Sequence, residues 1–131
     1  MSINKHRISP YKVVRGEKAW LKSLDEITRL CKKPLILGRS CSTKEIRTSL
    51  KKDLFLKGIK SISIELNHDC CELDIQNACL ISKKHNCDGV IAAGGGKVLD
   101  AGKLIADLLE IVCITVPLSA STCAGWTALS N

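Results

Sequence analysis

Gly94, Gly95, Gly96 and Lys97 stand between an apolar run, Val90 to Ala93, and a segment with the periodicity of a helix. Bare of side chains, three glycines let the backbone turn tightly and approach a ligand that a Cβ would hold off. A helix starting there aims unpaired N–H groups and the positive end of its dipole at the same point, a seat for a phosphate or pyrophosphate. Lys97 adds a mobile cation. Two better-known glycine patterns do not fit: a P-loop needs Gly where Ile91 stands and Ser or Thr where Val98 stands. The GxGxxG fingerprint needs Gly at Leu99, and it opens a first crossover, not a third. A plain tight turn is the bland alternative, yet three consecutive glycines carry an entropic cost that a simple connection rarely needs. Asp100 complements the helix N-terminus, and Lys103 can pair with it at i,i+3. An acid so near a phosphate seat suits a ribose or positioning role better than direct phosphate contact.

A second polar cluster, PLSASTCAGWTALS (117–130), follows a continuously apolar run from Ile111 to Val116. Ser119, Ser121, Thr122 and Thr127 offer hydroxyls and turn N–H groups. A Ser/Thr-rich loop leading into a helix accounts for it equally well. In an open α/β sheet, ligands bind outside the carboxyl ends of the strands, which places both clusters on one edge.

The elements that must position them read as alternating strands and helices. Trp20, Leu24, Ile27 and Cys31 mark one face of a helix over 17–32, and PLILG (34–38) reads as a buried strand. Ile46, Leu50 and Leu54 stripe a helix over 43–57, SISIEL (61–66) alternates as a strand, and 71–86 reads as a third helix. Val98, Ala101, Ile105 and Leu108 form the inner stripe of the helix after the glycine turn, and 111–116 is a strand covered on both faces. Such alternation implies right-handed parallel crossovers in one α/β domain. The chain ends soon after a strand and without a closing element.

Composition narrows the classes. Aromatics are limited to Tyr11, Trp20, Phe55 and Trp126, so the core rests on Leu, Ile, Val, Ala and Cys. The net charge of +7 is concentrated in the first sixty residues. Those cations lie along helix faces without aromatic interleaving, which suits solvated surfaces better than nucleic acid. Eight cysteines without a secretory signal ahead of them read as reduced thiols that pack as small hydrophobes. His68, Cys70, Cys71, His85 and Cys87 match no C-x-x-C zinc pairing. No apolar run approaches the ~18 residues of a membrane span. A cytoplasmic location, with neither nucleic acid nor membrane as partner, is expected.

GGGKVLDAGK followed by a helix, a strand and PLSASTCAGWTALS resembles the GGGK-x-x-D-x-x-K and P-T-x-A-S-T-x-A-x-x-x-A-L-S pattern of glycerol dehydrogenase-like enzymes. These belong to the iron-containing alcohol dehydrogenase and dehydroquinate synthase superfamily. SPYKVVRGEKAWLKSL and KKPLILGRS resemble the family's opening, so the likeness covers nearly the whole chain. It implies a Rossmann-like parallel sheet with flanking helices, residues 1–131 forming an incomplete NAD(P)-binding domain truncated before an all-helical metal-binding domain. It further implies that Gly94, Gly95, Gly96, Lys97, Val98 and Asp100 line the pyrophosphate and ribose of NAD or NADP. Leu118, Ser119, Ser121, Thr127 and Leu129 would contact the rest of the cofactor.

Three residues depart from the pattern. Arg39 stands where an acid often holds the adenosine ribose, and a cation there favours a 2′-phosphate, hence NADP. Leu118 replaces a threonine. Cys123 replaces the polyol-binding aspartate, and the TCAxWT form resembles the hydroxycarboxylate dehydrogenase branch, with Cys123 facing the substrate. His6, His68 and His85 match none of the family's metal ligands, so a divalent Zn or Fe is expected only in a full-length form. The implied function is the cofactor-binding portion of a metal-dependent oxidoreductase of a small alcohol, polyol or 2-hydroxy acid, inactive alone and homo-oligomeric at most when complete. Two alternatives stay open: a non-catalytic nucleotide-binding module, and a glycerol-1-phosphate dehydrogenase or dehydroquinate synthase-type relative.

Overall fold

The computed structural model describes residues 12–15, 19–39, 43–67, 72–118 and 126–130. Its elements run β1 (Lys12–Arg15), α1 (Ala19–Leu30), β2 (Pro34–Gly38), α2 (Lys44–Leu56), β3 (Ile62–Glu65), α3 (Glu72–Lys84), β4 (Gly89–Gly94), α4 (Gly96–Leu109), β5 (Val112–Pro117) and β6 (Trp126–Ser130). They form one six-stranded sheet in the order β1-β6-β5-β4-β2-β3. β3, β2, β4 and β5 are mutually parallel. β6 runs antiparallel to β5, and β1 antiparallel to β6. The expected parallel sheet is therefore present at the centre, with two antiparallel strands added along one edge. The stretch after β5 leads into a strand, β6, and not into a helix.

The central strands are apolar on both faces because helices cover both. Ile36, Ile91, Ala93, Ile114 and Val116 pack under Trp20, Leu24 and Ile27 of α1 and Leu50 and Leu54 of α2. Their alternates, Leu35, Leu37, Val90, Ala92 and Cys113, pack under Ile75 and Ala78 of α3 and Val98, Ala101, Ile105 and Ala106 of α4. Alternation along each strand thus feeds two separate cores. One expected core position fails: Leu108 is 59% exposed. The inner face of α4 turns instead through Gly102 and Ala106, small residues that bring the helix close to β4.

Three helices end in the same way. Gly58, Asn86 and Glu110 take positive φ. The next residue's N–H then returns to a carbonyl of the last turn: Ile59 to Leu54 (2.9 Å), Cys87 to Ser82 (2.9 Å), Ile111 to Ala106 (2.9 Å). This left-handed cap satisfies carbonyls that the helix leaves open and delivers an apolar residue back to the core. α1 and α2 are tied laterally by the Trp20 indole N–H donating to Asp53 Oδ2 at 3.0 Å.

The connections decide where a ligand can sit. From β2 the chain leaves through α2, on one face, outward to β3. From β4 it leaves through α4, on the opposite face, in the other direction to β5. The carboxyl ends of β2 and β4 therefore diverge, and the crevice between them is the switch point at which open α/β sheets bind ligands.

Candidate functional site

At that crevice lies a cleft of about 240 Å³ lined by Arg39, Thr43, Gly94, Gly95, Gly96, Lys97 and Val98. One wall is the turn from β4 into α4. Gly94 has φ +156°, and a Cβ there would sit 3.2 Å from Val98. Gly95 is the extended N-cap of α4, with φ −82° and ψ −174° and no side chain to cap the helix. Leu99 N–H makes the first helical bond, 3.0 Å to the Gly95 carbonyl. The helix therefore offers no acceptor to the N–H groups of Gly96, Lys97 and Val98. A Cβ added at Gly95 or Gly96 would meet no atom within 4 Å. These two positions are bare toward open space, and the packing of the protein does not demand glycine there. Lys97 is exposed beside them, and Val98 is buried, anchoring the turn from below.

The opposite wall is the exit of β2. Arg39 follows the strand directly, half-buried, and Thr43 precedes α2 with 8% exposure. Behind them lies Arg47, a residue that the reading of the basic half as solvated surface missed: it is only 7% exposed. Its guanidinium donates to the Thr43 hydroxyl and pairs with Glu65 Oε2 at 2.9 Å. It crosses the backbone of Gly38, where a Cβ would fall 2.1 Å from Nε. Gly38 is the last residue of β2 and serves to admit Arg47. The available signal was spacing: Thr43, Arg47, Leu50 and Leu54 share one helical stripe, an arginine where an apolar residue belongs.

The remaining expected residues are placed as follows. Asp100 and Lys103 are exposed on α4, outside the cleft lining, with no ion pair between them among the described residues. Leu118 is 7% exposed and lies in the core beneath α1 and α2. Its N–H donates to the Gly94 carbonyl at 2.9 Å, which fastens the start of the second cluster to the glycine turn. Thr127 and Leu129 belong to β6, opposite Val14 and Lys12 of β1. Ser119, Ser121 and Cys123 lie outside the described residues, as do His6, His68, Cys70 and Cys71.

Cys31 and Cys113 are buried and in no disulfide. Burial pushes each up to about 12, with Asp88 adding to the rise at Cys31 and Lys103 opposing it at Cys113. Neither is a nucleophile or a metal ligand at neutral pH. Among the described residues no three His, Cys, Asp or Glu side chains converge to hold a metal ion. No helix there is long and apolar enough to cross a membrane.

An open α/β sheet with a bare glycine turn at its switch point defines the class of the molecule, and the comparisons with known proteins give the family. The family model of iron-containing alcohol dehydrogenases matches residues 10–131. The chain belongs to that family. It is 33% identical to an uncharacterized oxidoreductase of Synechocystis sp., over 95% of this chain and 32% of that protein. Over about half of this chain it is 39% identical to the glycerol dehydrogenase of Citrobacter freundii, of which it covers 18%. Hydroxycarboxylate dehydrogenase A of Escherichia coli K12 is 41% identical over 47% of this chain and 17% of its own length. Among solved structures, the NADH-dependent butanol dehydrogenase A of Thermotoga maritima superposes with a TM-score of 0.61 at 25% identity, over 70% of this chain and 24% of that one. The chain spans about a third of the length of the curated relatives that it matches along most of its own length.

Proposed function

We propose that this chain binds a nicotinamide dinucleotide across the switch-point cleft, as the cofactor-binding part of an oxidoreductase of small alcohols, polyols or 2-hydroxy acids. The observation that carries this reading is the open space at Gly95 and Gly96 in front of the unpaired N–H groups of α4. It is a cradle that any side chain would fill, at the positive end of a helix dipole. The backbone N–H groups of Gly96, Lys97 and Val98 would hold the pyrophosphate, with the Lys97 ammonium beside it. Arg39, on the β2 wall, would face the adenosine ribose. The dinucleotide, when bound, supplies the hydride acceptor. The described residues do not gather a metal. Polyol and 2-hydroxy acid substrates are supported by the glycerol dehydrogenase and hydroxycarboxylate dehydrogenase among the relatives.

Titration of the purified chain with NADH, followed by nicotinamide fluorescence, tests the site. Weak saturable binding is expected, lost in Gly95→Val with the thermal midpoint unchanged, because the branched side chain enters the ligand's space and its Cβ meets no protein atom within 4 Å. Undiminished binding by that variant makes the turn merely structural. The same titration reads cofactor choice. If Arg39 meets a 2′-phosphate, NADPH binds on the order of tenfold more tightly than NADH, and Arg39→Asp inverts the order. Equal affinities remove the NADP reading. Oxidation of glycerol or 2-hydroxybutyrate by this chain alone would show a catalytic apparatus that the cleft lacks.

A further inference from the structure

We infer that Arg47 is a positioning residue that fixes the adenosine end of the cleft, and that Gly38 is the gap through which it acts. The inference rests on the dinucleotide reading above. One guanidinium joins three chain segments that meet at the switch point: the end of β2 at Gly38, the approach to α2 at Thr43, and the end of β3 at Glu65. The first two border the cleft, since Arg39 follows Gly38 directly and Thr43 lines the wall. Gly38 and Thr43, one on each side of the β2–α2 connection, are thus both reached by a single side chain.

Stability alone gives little reason for the arrangement. Desolvating a guanidinium offsets much of its attraction to a carboxylate, so a buried pair contributes less than a good apolar packing of the same volume. Glu65 is itself half exposed, which weakens the pair further. An apolar residue at 47 would extend the Leu50 and Leu54 stripe and permit an ordinary side chain at 38. Geometry is what Arg47 provides: a planar fork with fixed directions can hold Thr43 and Glu65 at one separation, as a flexible ammonium cannot. Walls held in place before the ligand arrives raise affinity by sparing the ordering cost of binding.

The test compares Arg47→Met, Arg47→Lys, Gly38→Ala and the Gly38→Ala/Arg47→Met pair in the full chain. Affinities for NADH, ADP-ribose and nicotinamide mononucleotide are measured well below the thermal midpoint of each variant. Arg47→Met and Gly38→Ala should each weaken NADH and ADP-ribose by roughly tenfold, about one lost hydrogen bond, and leave the mononucleotide unchanged. The double variant should be no weaker than the worse single one, since both remove the same fork. Arg47→Lys should not restore binding. Additive losses, equal losses for all three ligands, or lower thermal midpoints with unchanged affinities would overturn the proposal. A ligand-free readout separates it from the nucleotide reading. Amide resonances of Arg39 and Thr43 should shift in Arg47→Met without any nucleotide, and unmoved resonances sink the positioning role. Failure of the unsubstituted chain to bind NADH sinks the nucleotide reading alone.

Discussion

The two ends of β4 use glycine for opposite purposes. At the amino end, Gly89 opens β4, and a Cβ there would lie 2.8 Å from the Cβ of Cys31 and 3.1 Å from Val112. Asp88, just before it, accepts from the N–H groups of Lys32 at 2.8 Å and Lys33 at 2.8 Å, and its own N–H donates to the Lys33 carbonyl at 3.1 Å. The α1–β2 and α3–β4 connections are thereby locked together. Just past the carboxyl end, a Cβ at Gly95 or Gly96 would meet no atom within 4 Å. One glycine is small because the protein has closed over it, the others because the protein has left room. Identical residues in the sequence therefore carry opposite expectations, and the difference is set by what lies beyond the missing Cβ.

Substitution at the closed end should produce the largest response. Gly89→Val must displace Cys31 and Val112, and overpacking of this kind costs about 1–3 kcal/mol. Urea unfolding should register that loss, while nucleotide affinity at low temperature stays intact. A stable Gly89→Val chain would mean that the amino end is as open as the cleft. Asp88→Ala comes next: it strands two backbone donors and should cost about 1–2 kcal/mol, again without touching affinity. A change in affinity would reveal coupling between the two ends that the comparison denies.

The third effect is alkaline. Cys31 and Cys113 are held protonated up to about 12, mainly by burial, whereas an unfolded thiol ionises near 8.5. Their contribution to stability is complete below the unfolded value and is lost as pH rises toward the folded one. The thermal midpoint should fall between pH 9 and 11, and fall less steeply in a Cys31→Ala/Cys113→Ala variant than in the parent. Parallel slopes would show that neither thiol is sealed.

Much of this was legible because local pattern and tertiary context agree. PLILG and VIAA are apolar without interruption, which only doubly covered strands need, and three consecutive glycines before a helix announced the cleft. The errors fall where they disagree. KVVR and WTALS are short, and each becomes a strand through a partner distant in the chain. Leu108 fits an apolar stripe by spacing, yet Gly102 and Ala106 take the inner face because close contact with β4 selects size over hydropathy. Arg47 was hidden by the rule that charge marks solvent, and only its partners, Thr43 and Glu65, make its burial tolerable.

The pairing of β1 with β6 also sets a timetable. Lys12 meets Leu129 and Val14 meets Thr127, a contact between nearly opposite ends of the sequence. Loop-closure entropy makes such pairings slow, and synthesis makes them last, because the first strand leaves the ribosome long before its partner exists. The parallel centre and both helix layers can assemble from local crossovers in the meantime. Until β6 arrives, the free edge of β5 and the unpaired Lys12–Arg15 segment are both exposed to other strands. The nascent chain is thus exposed to misassociation just before β6 emerges.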